Sequence, residues 1–317
     1  MTGAKKSLDM NFLGVDIGGT SVRSLVTDAD GTILGYQRAA RISRPTLSQA
    51  LNDCLTALLT ESAVGRVEAA VVGAAGAGPA GNRHVRDSVE EAFRTAGLRV
   101  APRVATDIEI AYWSAATSGD GSILAAGTGA IAGRFSEWHW VDRRDGAGWL
   151  LGDHGSGYWI GRKALRAAAA DLDGRGPHTT ITSEVVNALG LPAGCSLQDL
   201  IAETKELRPS DVAGFAPIVL SASDDETASF IVACAASELR ATVKTLSANR
   251  VILAGGLFAP RIDHNGVRPN PLRSIVEQSL GGCMYASHPV VGACWEAGRS
   301  KGLDLPKHEI TSQLEMQ

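Results

Sequence analysis

The feature that most constrains this chain is a strand–turn–strand pattern that occurs twice, once in each half. The first copy spans residues 14–20 (GVDIGGT) and continues into the strand-like residues 21–27. The second copy spans residues 122–129 (SILAAGTG) and continues into residues 130–135. Glycines allow tight turns whose exposed N–H groups can bind phosphate oxygens. Two such hairpins predict a phosphoryl-transfer enzyme built from two related halves, with the hairpins facing each other across a cleft.

The order of predicted elements supports two α/β domains. The first half predicts strands at 12–17, 21–27, 32–38, 67–73 and 100–106, with helices at 47–59, 87–96 and 107–116. The second half predicts strands at 122–126, 130–135, 138–141 and 251–254, with helices at 156–172, 183–189, 197–204, 213–221, 226–247, 271–280 and 290–298. Such alternation is typical of sheets flanked by helices. We therefore expect an N-terminal domain over 1–117, completed by residues 290–317, and a C-terminal domain over 118–289.

Composition argues against several classes of protein. The net charge is −4, which argues against nucleic acid as the main partner. No window approaches the roughly eighteen uninterrupted apolar residues of a membrane span. The five cysteines are scattered and odd in number, which argues against a disulfide framework or structural zinc and favours the cytoplasm.

The duplicated pattern resembles the actin-like (ASKHA) ATPase superfamily, in which two ribonuclease-H-like domains close on ATP. The two phosphate-binding hairpins resemble residues 15–20 and 125–129, and the adenosine-binding segment resembles residues 251–256. All three occur in the expected order. The resemblance implies that ATP is bound by a set of glycines and their neighbours: Gly18, Gly19, Thr20, Gly127, Thr128, Gly129, Gly255, Gly256 and Leu257. For each glycine alone, a purely structural turn is the competing interpretation.

A further segment narrows the resemblance to the N-acetylglucosamine kinase (BadF/BadG) family. Residues 148–161 are similar to the sugar-binding stretch of that family, and residues 142–147 look like its glucosamine kinase branch. The N-acetylhexosamine branch has a Ser-Asn pair and a glutamate where this chain has Ala130, Ile131 and His154. These departures remove a hydroxyl and an amide that would hold an acetamido group, and so favour an unacetylated amino sugar.

Two aspartates are the candidates for the chemistry of transfer. Asp107 follows a predicted strand and opens a helix, and the resemblance makes it the base that accepts the proton of the sugar hydroxyl. The competing interpretation is an acidic residue favoured by the helix dipole. Asp16 is expected to position Mg²⁺ through water, and its alternative role is to cap the neighbouring turn.

The sugar is expected to bind in the second half of the chain and at one glycine-rich loop of the first. Asp153 is the main candidate, because a carboxylate accepts strong hydrogen bonds from hydroxyl or ammonium groups. Asp145 and Gly152 are further candidates, and Gly78 is expected to offer backbone donors. Capping of the following helix is the alternative for Asp153, and a plain linker is the alternative for the loop at Gly78.

The function expected from these residues is an ATP- and Mg²⁺-dependent kinase that converts D-glucosamine to glucosamine 6-phosphate. The alternatives are an N-acetylglucosamine kinase and an activator ATPase of the BadF type, which needs cysteines that bridge a [4Fe–4S] cluster between subunits. The expected partners are the amino sugar and ATP, without nucleic acid or membrane. The sequence allows a homodimer.

Overall fold

A computed structural model describes residues 10–19, 21–40, 46–61, 65–78, 82–246, 250–263 and 266–316. The chain divides into two compact units. The first unit comprises Met1–Thr117 and Ala286–Gln317, and the second comprises Ser118–Tyr285. The second unit ends at Tyr285 rather than at residue 289, because the strand Cys283–Tyr285 pairs within its sheet.

The elements follow in chain order. The strands are β1 Asn11–Ile17, β2 Ser21–Thr27, β3 Ile33–Ala40, β4 Val67–Ala74, β5 Arg103–Thr106, β6 Gly121–Ala126, β7 Ala130–Ser136, β8 His139–Asp145, β9 Val251–Ala254, β10 Arg261–Asp263, β11 Gly266–Arg268 and β12 Cys283–Tyr285. The helices are α1 Leu47–Glu61, α2 Asn82–Thr95, α3 Asp107–Ala115, α4 Gly157–Leu172, α5 Thr180–Ala188, α6 Leu197–Thr204, α7 Pro209–Ala213, α8 Ala216–Ser221, α9 Glu226–Lys244, α10 Pro271–Leu280, α11 Pro289–Arg299 and α12 Lys307–Glu315. A 3₁₀ turn covers Gly256–Phe258.

The first unit is built on a five-stranded mixed sheet in the order β3-β2-β1-β4-β5. β2 is antiparallel to both β1 and β3, whereas β4 and β5 run parallel to β1. Leu13, Val15 and Ile17 of β1 belong to the same buried cluster as Leu51 and Leu55 of α1. Parallel strands bring their carboxyl ends to one edge of a sheet. The residues at the ends of β1, β4 and β5 therefore share that edge.

The second unit repeats this arrangement. Its sheet has the order β12-β9-β6-β7-β8, so that β6, β7 and β8 correspond to β1, β2 and β3. β7 is antiparallel to β6 and β8, and β9 and β12 run parallel to β6. The helices α4 and α9 contribute Ile160, Ala164, Ala235 and Leu239 to its buried core. The predicted fold class, two ribonuclease-H-like α/β domains, is confirmed.

Several element boundaries differ from the prediction. α2 begins at Asn82 rather than at residue 87, and β8 continues to Asp145 because Ile131 of β7 still pairs with that residue. α7, α12 and the short strands β10, β11 and β12 were not predicted, because they are too short or too polar to show a period. Within the described part of the chain, no helix combines the length and apolar character needed to cross a membrane.

Candidate active site

Asp16 lies at the carboxyl end of β1 and pairs with an arginine on the neighbouring strand. Arg23 is its direct cross-strand partner, and Arg23 Nη1 donates to Asp16 Oδ2 at 2.8 Å. Asp16 is only 5% exposed. Burial raises the pKa of Asp16, and the positive charge and hydrogen bond of Arg23 oppose that rise. The sequence alone does not identify Arg23, because the register that places it opposite Asp16 arises only from strand pairing.

Asp107 is the first residue of α3 and follows β5 without an intervening loop. Thr106 caps the helix, because its hydroxyl accepts from Glu109 N at 3.2 Å while Glu109 Oε2 accepts from Thr106 N at 2.8 Å. This capping box fixes the backbone that carries Asp107. Its Oδ1 accepts from Ile108 N at 3.1 Å. Burial raises the pKa of Asp107, and the negative charge of Asp16 raises it further.

The remaining predicted residues of the first unit surround the same sheet edge. Gly18 N donates to Ser21 O at 2.9 Å, which closes the turn between β1 and β2. A Cβ atom at Gly19 or Gly78 would meet nothing within 4 Å, so both backbones are open on that side. Thr20, which the resemblance assigns to the nucleotide, lies outside the described residues.

In the second unit, the turn between β6 and β7 is held by the N-terminus of α4. Gly127 N donates to Gly129 O at 2.9 Å within the turn. Gly157 N donates to Gly127 O at 2.8 Å, and Tyr158 N donates to Thr128 O at 3.0 Å. A Cβ atom at Gly127 would meet nothing within 4 Å. The turn is therefore fixed by α4 on one side and open on the other.

Asp153 lies against this turn. Ala130 N donates to Asp153 Oδ1 at 3.2 Å, and the residue is 9% exposed. A Cβ atom at Gly129 would lie 2.7 Å from Asp153 Oδ2. The carboxylate of Asp153 can therefore approach the backbone of residue 129 this closely only because that residue is glycine. Burial raises the pKa of Asp153, and the negative charge of Asp145 adds to the rise.

Asp145 holds the loop that carries Asp153. Asp145 Oδ1 accepts from Asp153 N at 2.7 Å, and Oδ2 accepts from His154 N at 2.9 Å and lies 3.3 Å from His154 Nδ1. Burial alone would raise the pKa of Asp145, but the N–H groups of His154 and Asp153 outweigh it and lower the pKa. The side chain is 7% exposed, and Gly152 packs directly against it. Its oxygen atoms are thus engaged within the protein.

The turn after β9 lies beside the end of β6. Gly255 has φ +95°, and a Cβ atom there would collide with the carbonyl oxygen of Ala126. Gly256 is exposed and has open space around its Cβ position, whereas Leu257 is buried. Exposed backbone at Gly255 and Gly256 is what close approach of a flat ligand requires.

The predicted site residues thus form one group in each unit. The first unit gathers Asp16, Gly18, Gly19 and Asp107 around the ends of β1 and β5. The second gathers the 127–129 turn, Asp145, Gly152, Asp153 and the 255–257 turn around the ends of β6 and β9.

A magnesium ion that travels with a nucleotide fits Asp16. Among the described residues, no three or more His, Cys, Asp and Glu side chains are grouped to hold a metal ion. Mg²⁺ keeps most of its waters and binds through one or two carboxylates together with substrate phosphates. The buried carboxylate of Asp16 suits that mode.

Two curated relatives align with much of the chain. The N-acetylmuramic acid/N-acetylglucosamine kinase of Clostridium acetobutylicum is 28% identical over 245 residues, which cover 74% of this chain and 78% of the relative. The N-acetyl-D-glucosamine kinase of Dictyostelium discoideum is 26% identical over 187 residues, which cover 52% of this chain and 59% of the relative.

Solved structures share the fold. A protein from Porphyromonas gingivalis, provisionally named an N-acetylglucosamine kinase, superposes with a TM-score of 0.70 at 18% identity, over 92% of this chain and 99% of that one. A ROK family glucokinase from Streptomyces griseus gives 0.53 at 21% identity, over 91% and 99%. The profile of the BadF/BadG/BcrA/BcrD ATPase family matches residues 13–295. With most of its length matched, the chain belongs to the BadF/BadG/BcrA/BcrD ATPase family.

Proposed function

We propose that the protein is an ATP-dependent kinase that phosphorylates the 6-hydroxyl of D-glucosamine. The observation that carries the proposal is Asp107, a carboxylate with a raised pKa at a capped strand-to-helix junction, on the sheet edge that also holds Asp16. The names of the two curated relatives support a sugar kinase.

Asp107 acts as the general base. It accepts the proton of the 6-hydroxyl while the sugar oxygen forms its bond to the γ-phosphorus. The bond from that phosphorus to the bridging oxygen breaks, and ADP leaves with the bonding electrons. A raised pKa brings the carboxylate closer to the acidity that suits a base near neutral pH.

Backbone of the two glycine hairpins binds the phosphates of the nucleotide. The donors are offered by Gly18, Gly19 and Thr20 and by Gly127, Thr128 and Gly129. Gly255, Gly256 and Leu257 accept the adenosine. Asp16 would hold a hydrated Mg²⁺ through water, and the ion would supply positive charge to the phosphates.

Asp153 recognises the amino group of the sugar. Its carboxylate is almost buried and lies beside the 127–129 turn, and an ammonium group would gain a charge-assisted hydrogen bond there. Ala130, Ile131 and His154 replace the residues that, by the family resemblance, would bind an acetamide. Gly152 and Gly78 contribute backbone around the sugar, while Asp145, predicted as a direct ligand, supports the loop through its two backbone hydrogen bonds.

N-acetylglucosamine phosphorylation is the second candidate, and the names of both curated relatives favour it. The activator ATPase is the third, because the matched family is named for ATPases. Its cluster needs accessible cysteines; Cys54, Cys195 and Cys294 are buried, whereas Cys234 and Cys283 are partly exposed. A purified protein without the visible absorption of an iron–sulfur cluster would exclude that activity.

The test of the proposed amino-sugar site is Asp153→Asn, assayed by coupled ADP release with glucosamine and with glucose. The variant keeps an oxygen for Ala130 N but removes the charge that pairs with the ammonium. We expect kcat/KM for glucosamine to fall about tenfold or more, with glucose changed much less. Asp142→Asn, a half-exposed aspartate on β8, is the matched control. An equal loss for both sugars would contradict the role of Asp153.

A further inference from the structure

Asn270 is a buried polar residue that the proposed reaction does not use. It is 5% exposed and precedes α10. Its amide nitrogen, Nδ2, donates to Leu257 O at 2.7 Å and to Ala259 O at 3.0 Å. Its amide oxygen, Oδ1, accepts from Arg273 N at 3.1 Å. All three hydrogen-bonding positions used by the amide thus have partners of the correct polarity.

The oxygen and the nitrogen of the Asn270 amide have different functions. The oxygen caps α10, because it accepts one of the N–H groups that a helix start leaves unpaired. The nitrogen instead restrains the 3₁₀ turn Gly256–Phe258, because it donates to the carbonyl group of Leu257 within the turn and to that of Ala259, the residue that follows it. Capping needs only the oxygen, so the two donors on the nitrogen require another explanation.

The turn needs such a restraint. Gly255 is held at φ +95° against Ala126, while Gly256 presents exposed backbone. Within the turn, Phe258 N donates to Gly255 O at 3.1 Å and Ala259 N donates to Gly256 O at 3.3 Å. Two hydrogen bonds from a buried amide fix carbonyl groups that a short turn of this kind would otherwise leave free to rotate.

We propose that Asn270 is a positioning residue for the nucleotide, which holds the 255–259 backbone in the shape that accepts adenosine while α10 anchors the amide. The inference rests on the proposed function only in taking Gly255, Gly256 and Leu257 as the adenosine site. The inference adds Asn270, which lies outside the 255–257 segment in sequence and whose effect is confined to nucleotide affinity.

Two variants separate positioning from capping. Asn270→Asp keeps an oxygen for Arg273 N but replaces the two donors by an acceptor that repels both carbonyl groups. Asn270→Ser also keeps a good capping oxygen, but its side chain is one atom too short to hold the turn. Ser196→Ala removes the N-cap of α6 in the same unit and serves as the control for loss of a cap.

The measurement is the affinity for ADP and for glucosamine by calorimetry on the full chain, with the melting temperature of each variant. Two lost hydrogen bonds should weaken ADP binding about tenfold in Asn270→Asp. Asn270→Ser should weaken it by less, because it adds no repulsion. Glucosamine affinity should stay within about twofold of wild type in both variants, and Ser196→Ala should leave ADP affinity unchanged. All affinities are measured well below the lowest melting temperature of the set.

Either of two results with the variants would overturn the inference: unchanged ADP affinity in Asn270→Asp, or a parallel loss of ADP and glucosamine affinity with a lowered melting temperature. Absence of ADP binding to the wild type would also overturn it. If the wild type binds ADP but phosphorylates no amino sugar, the proposed function fails while the role of Asn270 is still decided by ADP affinity.

Discussion

Replacing Asp145 should impair sugar use through the backbone of a neighbouring loop. Asp145→Ala removes the acceptors of Asp153 N and His154 N, which lie 2.7 and 2.9 Å from its oxygens. Because the wild-type side chain is only 7% exposed, water replaces these contacts poorly. Asp153 itself has φ 58°, a backbone conformation that non-glycine residues adopt at a cost of roughly 1–2 kcal/mol. Without Asp145, that conformation loses its main support.

The size of the effect follows from the two hydrogen bonds. A hydrogen bond to a charged group contributes roughly 1.5–3 kcal/mol. At the lower limit, losing both costs about 3 kcal/mol, which corresponds to about a hundredfold in kcat/KM for the sugar. Asp145→Asn keeps one acceptor oxygen and should lose about tenfold. Nucleotide affinity should hold, because the 127–129 turn is fixed separately by α4.

The assay is coupled ADP release with glucosamine varied at saturating ATP, together with ADP affinity by calorimetry. Asp145 has φ 59°, so alanine adds backbone strain that glycine avoids. Asp145→Gly therefore separates loss of the side chain from strain, and Asp142→Asn controls for an aspartate change on the same strand. If Asp145→Ala and Asp145→Gly both kept kcat/KM within twofold of wild type, or if ADP affinity fell as much as kcat/KM, Asp145 would not act on the sugar through the loop of Asp153.

Three further changes test the remaining roles. Asp107→Asn should leave ATP binding nearly intact and lower turnover about a hundredfold or more, as expected for a lost general base; near wild-type turnover in a rapid-quench assay would exclude Asp107 as the base. Gly127→Val should weaken ADP binding in calorimetry without affecting sugar binding, because its Cβ atom meets no protein atom within 4 Å and would face only the ligand; unchanged ADP affinity would remove the turn from the nucleotide site. Arg23→Met should raise the pKa of Asp16, since Arg23 opposes the effect of burial. Protonation of Asp16 would then begin at higher pH, and the acidic limb of the pH profile of kcat/KM for MgATP should move to higher pH. Arg23→Lys keeps the positive charge and should move this limb less. Identical profiles for the wild type and both variants would contradict the pairing of Arg23 with Asp16.

The sequence predicted those parts of the molecule that depend on local pattern. Apolar strands, glycine turns and the Thr106–Asp107 junction depend on residues adjacent in the chain. Most strands of both sheets, and the candidate residues at their ends, could therefore be proposed from the sequence. β5 was predicted to begin at residue 100 but begins at Arg103, since an apolar run does not show where pairing with β4 starts.

Pairings between distant residues could not be predicted in the same way. Glu296 is fully buried in α11, where it pairs with Arg299 and with Arg103 of β5. Neither the glutamate nor Arg103 carries a local sign of this pairing, because it arises only when α11 packs on the first sheet. Asn270 likewise has the local pattern of an ordinary helix cap. Only the structure shows that its side-chain nitrogen lies beside the carbonyl groups of Leu257 and Ala259.

Selectivity for an unacetylated amino sugar is measured by the ratio of kcat/KM for glucosamine to kcat/KM for N-acetylglucosamine. An acetamide buried without a partner costs roughly 1–3 kcal/mol, whereas the ammonium of glucosamine gains a bond to Asp153. With ADP release measured at saturating MgATP, the ratio should favour glucosamine by about one to two decades. A ratio near one, or a preference for N-acetylglucosamine, would contradict the proposed substrate and leave the kinase fold unaffected.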